Sequence, residues 1–292
     1  MLPARVRETL GYVNWLWNPL QALDAGRIYD LLSTSSPTER GLYLNLGYWR
    51  EATTFDEAGD ALAMLVGETA QMGGCDTVVD CGFGFGDQDM LWATTLKPQR
   101  IIGLNITRSQ LTMAQQRVLA AGLEDRIDLR YGSATEMPIE ANSVDRVVAL
   151  ESAFHFDTRE RFFREAWRVL RPGGRVVTAD IIPLAASRRW SVRLTQRISW
   201  GLVASKFAIP GANRYTRPAY RSALARCGFA EIRVESIRDQ VYAPLHGYLK
   251  AHPERLQRLH PMARLAAAMA LRFSPASVYA GLDYVIAEAV KR

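Results

Sequence analysis

The sequence predicts an α/β protein: a mostly parallel sheet with helices on both faces. Short apolar runs alternate with helical-period segments from Phe55 onward. Pro, Gly or a capping residue marks several of the junctions, and the first run empties into a glycine-rich turn. The 292-residue chain is 48% hydrophobic and 23% charged, too apolar for disorder and long enough for a large domain with insertions. No run of about 18 uncharged apolar residues is present, which argues against a bilayer-spanning helix. The start lacks the apolar core and cleavage site of a secretory signal, and Cys75, Cys81 and Cys227 have neither disulfide-framework nor zinc spacing. A reducing, cytoplasmic setting is expected.

The elements follow in order. Residues 1–42 form a Trp- and Leu-rich helical segment, broken at the Ser-Thr-Ser-Ser-Pro run of 33–37 and expected to act as a gate. Phe55 to Met72 has helical spacing, Thr77 to Val79 is a strand, and Gln88 to Thr95 a helix. RIIGLNIT is a second strand, and Ser109 to Ala121 a helix that closes near Gly122. IDLRYGSA and VDRVVALES are strands, and Thr158 to Leu170 is a helix stopped by Arg171-Pro172-Gly173-Gly174. RVVTADII is the fifth strand, after which the rhythm breaks at Pro183. A helix at Pro218–Cys227 and strands at Ala230–Arg238 and Leu282–Val290 complete a seven-stranded sheet. The domain is therefore expected over 43–292, with lid insertions at about 184–213 and 241–280, the latter interrupted at Pro253 and Pro261.

Asp80-Cys81-Gly82-Phe83-Gly84-Phe85-Gly86 links a strand to a helix. Glycines there permit a tight turn and close backbone approach beside the positive end of a helix. The spacing differs from the dinucleotide fingerprint, and an acid at the strand end suits an ammonium or sulfonium group better than a pyrophosphate. The motifs VVDCGFGFGDQD, GLNITRSQL, GSATEMP, VVALESAFHF, and FFREAWRVLRPGG before VVTADII resemble the class I S-adenosylmethionine-dependent methyltransferases, a Rossmann-like fold. With YLNLGYW upstream, the pattern is most similar to the small-molecule subgroup. That subgroup holds the erythromycin-type and rebeccamycin-type sugar O-methyltransferases and, more distantly, the sterol and cyclopropane-fatty-acid enzymes.

The resemblance implies S-adenosylmethionine as cofactor and S-adenosylhomocysteine as product. It places Asp80, Gly82 and Gly84 along the methionine part, Asn105 and Gln110 at the ribose, and Ser133 and Ala134 at the adenine. Asn105 stands where most of the superfamily carries an acid. Tyr43, with Tyr48 and Trp49, resembles an aromatic gate; plain core packing is the other reading.

Methylation of a hydroxyl requires a positioned acceptor, exclusion of water and a proton acceptor. The resemblance makes His155 the candidate base and Asp180 its helper, with Glu151 able to orient cofactor or acceptor. No His, Asp or Glu cluster has metal-ligand spacing.

The net charge of +6 is local in origin: nine Arg and Lys and no acid lie between Ile181 and Ala230. Within 184–212, arginines sit among Trp190, Leu194, Ile198, Trp200 and Leu202. Three readings stay open: a solvated face over an apolar pocket, peripheral contact with an anionic membrane, and capture of an anionic substrate group. Nucleic acid is not expected. The sequence thus points to a methyltransferase acting on a hydrophobic small molecule, most readily at a hydroxyl. Carbon methylation of an alkene or prenyl acceptor is the first rival and a non-catalytic binding protein the second. Oligomeric state is not legible.

Overall fold

A computed structural model describes residues 4–18, 21, 23–32 and 38–292. The expected break at 33–37 lies outside the described residues. Helices α1 (Ala4–Trp17), α2 (Ala25–Leu32) and α3 (Phe55–Thr69) precede β1 (Thr77–Cys81). Then come α4 (Asp87–Thr95), β2 (Arg100–Asn105), α5 (Arg108–Ala120), β3 (Ile127–Tyr131) and β4 (Val144–Leu150). Next are α6 (Arg159–Val169), β5 (Leu170–Pro183), α7 (Trp190–Lys206), α8 (Arg217–Arg226) and β6 (Phe229–Ser236). Helices α9 (Arg238–Ala251), α10 (Pro253–Leu256), α11 (Pro261–Ala270) and α12 (Pro275–Val278) lead to β7 (Leu282–Lys291). Pro253 and Pro261, expected as interruptions, each open a helix, where a missing N–H costs nothing.

The seven strands lie in the order β3-β2-β1-β4-β5-β7-β6. Pairing is parallel except that β7 runs antiparallel between β5 and β6. Because side chains alternate along a strand, Val78 and Val148 face α3, α4 and α5, while Val79 and Val147 face α6 and α8. The chain leaves β1 toward β2 on one side and reaches β4 on the other, so the ends of β1 and β4 form a crevice at the switch point. Arg171–Gly174 ends α6 as anticipated but stays within β5 as a bulge: Val144 pairs with Leu170, and regular pairing resumes at Arg146–Arg175.

A fully buried ion pair ties the second half together. Arg159 Nε donates to Asp180 Oδ2 at 2.7 Å, and its other terminal N–H groups reach Asp180, the Ile181 carbonyl and the Asn213 carbonyl. Tyr220 donates to Asp180 Oδ2 at 2.9 Å, and Asn213 Nδ2 donates to the carbonyls of Phe154 and Phe156. The short helical turn Ala153–His155 is thereby held against β5 and α8. Asp180 therefore does not assist His155 as expected; its oxygens are taken by Arg159, Tyr220 and the Ile181 N–H.

The lid segments meet one another. Helix α7 crosses Gly281 so closely that a Cβ there would lie 2.1 Å from the Gln196 carbonyl oxygen. Ser199 Oγ donates to the Val278 carbonyl at 2.7 Å, Trp15 Nε1 to the Lys206 carbonyl at 2.5 Å, and Tyr12 stacks on His260 at 4.0 Å.

Removing one partner of a buried pair strands the other charge without solvent. Asp180→Ala should lower unfolding stability by about 3–5 kcal/mol in chemical denaturation. A loss below about 1 kcal/mol, as for a surface pair, would show that the pair does not anchor the fold.

Candidate active site

The crevice opens into a cavity of about 1100 Å³, its mouth included, above the carboxyl ends of β1, β2 and β4. Gly82, Gly84, Asn105, Gln110, Ser133, Ala134, Tyr43, Glu151 and His155 all line it, as the motifs imply. Asp80 does not.

The glycine turn provides the floor. Gly82, Gly84 and Gly86 have φ of +92°, +57° and +80°, the left-handed region that a side chain disfavours. A Cβ on Gly82 would also sit 2.5 Å from Ser152 Cβ, so β1 and β4 can approach here only with glycine. Ser152 Oγ donates to the Cys81 carbonyl and locks the two strand ends together.

Beyond β2, Asn105 Oδ1 accepts the Thr107 N–H at 2.9 Å and Asn105 Nδ2 donates to Gln110 Oε1 at 2.9 Å. Both ends of the Asn105 amide are thus engaged within the protein. Gln110 Nε2, by contrast, is buried, belongs to a residue that lines the cavity, and has no hydrogen-bond partner among the described residues. A buried donor left unmatched favours a ligand oxygen. Gln110 is the donor offered at this position, and Asn105 orients it.

Asp80 is fully buried behind Gln88, whose Nε2 donates to Asp80 Oδ2 at 3.0 Å. Gln88 lines the cavity. Asp80 therefore meets the cavity only by way of Gln88. The neighbouring Asp89 is also fully buried. Burial, and for Asp89 the charge of Asp80, pushes both carboxyls well above the usual range.

The opposite end holds Glu151, His155 and Tyr29. Glu151 has φ +48°, a strained position for a side-chain-bearing residue. Its Oε1 accepts the Leu46 N–H at 2.6 Å and the Tyr284 hydroxyl at 2.7 Å. Burial pushes this carboxyl up to about 7, with the two hydrogen bonds pulling it back. His155 Nε2 and the Tyr29 hydroxyl are 2.8 Å apart, and burial pushes the imidazole down to about 3. Tyr29 comes from α2, so the N-terminal segment closes directly onto this end.

Tyr43 lines the cavity while its hydroxyl donates to Asp60 at 2.6 Å. Trp49 packs with Phe55 and Leu245, and Tyr48 packs on the main core; neither lines the cavity, so the three aromatics do not form one gate. Gln88 and Tyr29 were missed by sequence reading. Gln88 sits one turn past the glycine motif, where a polar residue reads as helix surface, and Tyr29 lies 126 residues from His155 in a segment without a motif.

A methyltransferase-domain family model matches residues 79–178. The chain is 35% identical over 250 residues to erythromycin 3''-O-methyltransferase of Saccharopolyspora erythraea, covering 83% of this chain and 81% of that protein. This is a class I S-adenosylmethionine-dependent methyltransferase of the natural-product type. The methyltransferase is also 28% identical over 251 residues to 27-O-demethylrifamycin SV methyltransferase of Amycolatopsis mediterranei, covering 79% of this chain and 92% of that protein. Among solved structures, geranyl diphosphate C-methyltransferase of Streptomyces coelicolor A3(2) superposes with a TM-score of 0.63 at 17% identity, both chains covered fully. The 4+2 cyclase SpnF superposes with a TM-score of 0.69 at 22% identity, covering 92% of this chain and 97% of that one. S-adenosylmethionine is the cofactor, and the glycine cradle with the unmatched Gln110 donor fits it.

Two outcomes are expected. Gln110→Ala should weaken S-adenosylhomocysteine binding about three- to tenfold in calorimetry, the worth of one hydrogen bond. Raised carboxyl pKa values mean that the folded state holds protons that the unfolded chain releases above 3.8. The stabilising contribution of these two carboxyls is therefore fully present below that pH and is lost as pH rises, at up to about 1.4 kcal/mol per pH unit for each retained proton. Asp89→Asn should flatten that decline in denaturation curves taken across pH; an unchanged slope would contradict the buried carboxyl pair.

Proposed function

We propose that this methyltransferase transfers a methyl group to a hydroxyl oxygen of a neutral, largely apolar natural product. The observation that carries the proposal is one end of the cavity, lined by Glu151, a buried carboxyl pushed up to about 7, and by His155, an imidazole pushed down to about 3. Bound S-adenosylmethionine supplies an electrophilic methyl group. Gln110, the glycine turn and Gln88 would hold it, leaving the chain to orient the acceptor, exclude water and take up a proton.

Glu151 is the proton acceptor in this reading. Its Oε1 is fixed by Leu46 and Tyr284, and among the described residues Oε2 has no hydrogen-bond partner. At about 7, its carboxylate binds a proton some four orders of magnitude more tightly than an imidazole at about 3. A base matched to neutral pH is the efficient one. His155, previously the first candidate, becomes a positioning residue held by Tyr29. Phe207 lies near its ring, at 6.5 Å between centroids, and helps keep water away.

The lining also bears on acceptor class. Among the described residues it contains no Lys or Arg; its charged groups are Asp87, Glu151 and Asp157. Asp87 is already paired with Arg117 at 2.6 Å. A diphosphate acceptor such as the one named for the Streptomyces coelicolor neighbour would find no cation there. Two relatives are named for O-methylation, which supports oxygen over carbon.

Glu151→Gln should reduce kcat by about 10²–10⁴-fold while leaving S-adenosylhomocysteine affinity nearly intact. Activity of the unaltered enzyme should rise with pH through about 7, as Glu151 loses its proton. That limb should vanish in Glu151→Gln. A limb that persists would return the proton-accepting role to His155.

A further inference from the structure

Helix α7 has two faces with different fates. Gln196, Ser199 and Trp200 turn inward and are buried. Trp190, Leu194, Ile198 and Leu202 follow one another at four-residue intervals, forming a single ridge, and are 73%, 50%, 56% and 60% exposed. Arg189, Arg193 and Arg197 repeat at the same interval immediately beside it, all exposed. Among the described residues, no carboxylate lies within ion-pair distance of these three or of Arg188. Surface arginines elsewhere do find one, as in Arg100–Asp128, Arg164–Glu160 and Arg171–Asp145. Within the same acid-free stretch, Arg217 and Arg226 find carboxylates on other elements, Asp283 and Glu160, so the arginines of α7 stand apart from their own neighbours in sequence.

We propose that the outer face of α7 docks on an anionic lipid bilayer. The arginines meet lipid phosphates, Trp190 settles at the headgroup level, and Leu194, Ile198 and Leu202 enter the acyl boundary. A second copy of the chain fits the ridge less well, because a twofold contact would set the arginines of one copy against those of the other. A second helix carries an exposed apolar face of its own: in α1, Val6, Leu10, Val13 and Trp17 follow one another at helical spacing. Trp15 joins α1 to the end of α7 through the Lys206 carbonyl. Phe207, just past α7, lies 6.5 Å from the His155 ring between centroids, so the end of the membrane-facing helix sits behind a residue of the cavity wall. An apolar acceptor dissolved in the bilayer is then brought close to the site that methylates it. This inference is independent of which residue accepts the proton.

The test is flotation of the full chain with vesicles of phosphatidylcholine alone and of phosphatidylcholine mixed with phosphatidylglycerol. The protein should float with the mixed vesicles only, and binding should weaken as salt is raised. R189E/R193E/R197E should bind them at least about 100-fold more weakly, from roughly 1 kcal/mol per basic residue. W190S/I198N should also lose binding, and both variants should retain S-adenosylhomocysteine affinity. If a variant fails to fold, the unaltered protein still reports: its tryptophan emission should shift to shorter wavelength on mixed vesicles, and less so in Trp190→Phe. No flotation with mixed vesicles, or equal flotation by a folded R189E/R193E/R197E, would overturn the proposal. So would concentration-dependent self-association in light scattering that Ile198→Asn abolishes, since the ridge would then be covered by a second copy.

Discussion

The Arg159–Asp180 pair is the constraint on which the acceptor half of the molecule depends. Two opposite charges without solvent are tolerable only when every donor and lone pair has a partner. That requirement draws together α6, the end of β5, Tyr220 of α8 and the Asn213 turn around one guanidinium. Asn213 then reaches the carbonyls on either side of His155. The geometry of the short turn after β4 is thus inherited from a buried electrostatic network that does not line the cavity.

The cofactor half rests on a different constraint, close backbone approach. Gly82 against Ser152 brings the ends of β1 and β4 together, and the left-handed turn that follows directs α4 so that Gln88 faces the cavity. Behind this surface Asp80 accepts the Gln88 amide and holds it in place, and the charge of Asp80 raises the proton affinity of the buried Asp89.

Charge is segregated to match. The cavity lining is neutral to acidic among the described residues, whereas the unpaired arginines lie on the outward side of α7. The same fold also carries a cyclase, SpnF, so the sheet alone does not choose a reaction.

Much was legible in the linear sequence because it is set by local physics. Strand and helix periodicity, the Pro-Gly-Gly stop after α6 and the glycines of the turn after β1 each act over a few residues, whereas Pro253 and Pro261 read as interruptions and instead open helices. These features determined the seven strands, the position of the cavity and the residues that line its floor. Only tertiary structure decided what those residues do. Asp180 resembled a catalytic helper until Arg159, 21 residues away, claimed it. Asp80 resembled a ligand contact until Gln88 came between it and the cavity. Burial raises Glu151 to about 7 and lowers His155 to about 3, an order of proton affinity that the sequence does not show. Proton affinity follows desolvation and distant partners, and neither exists before the chain has folded.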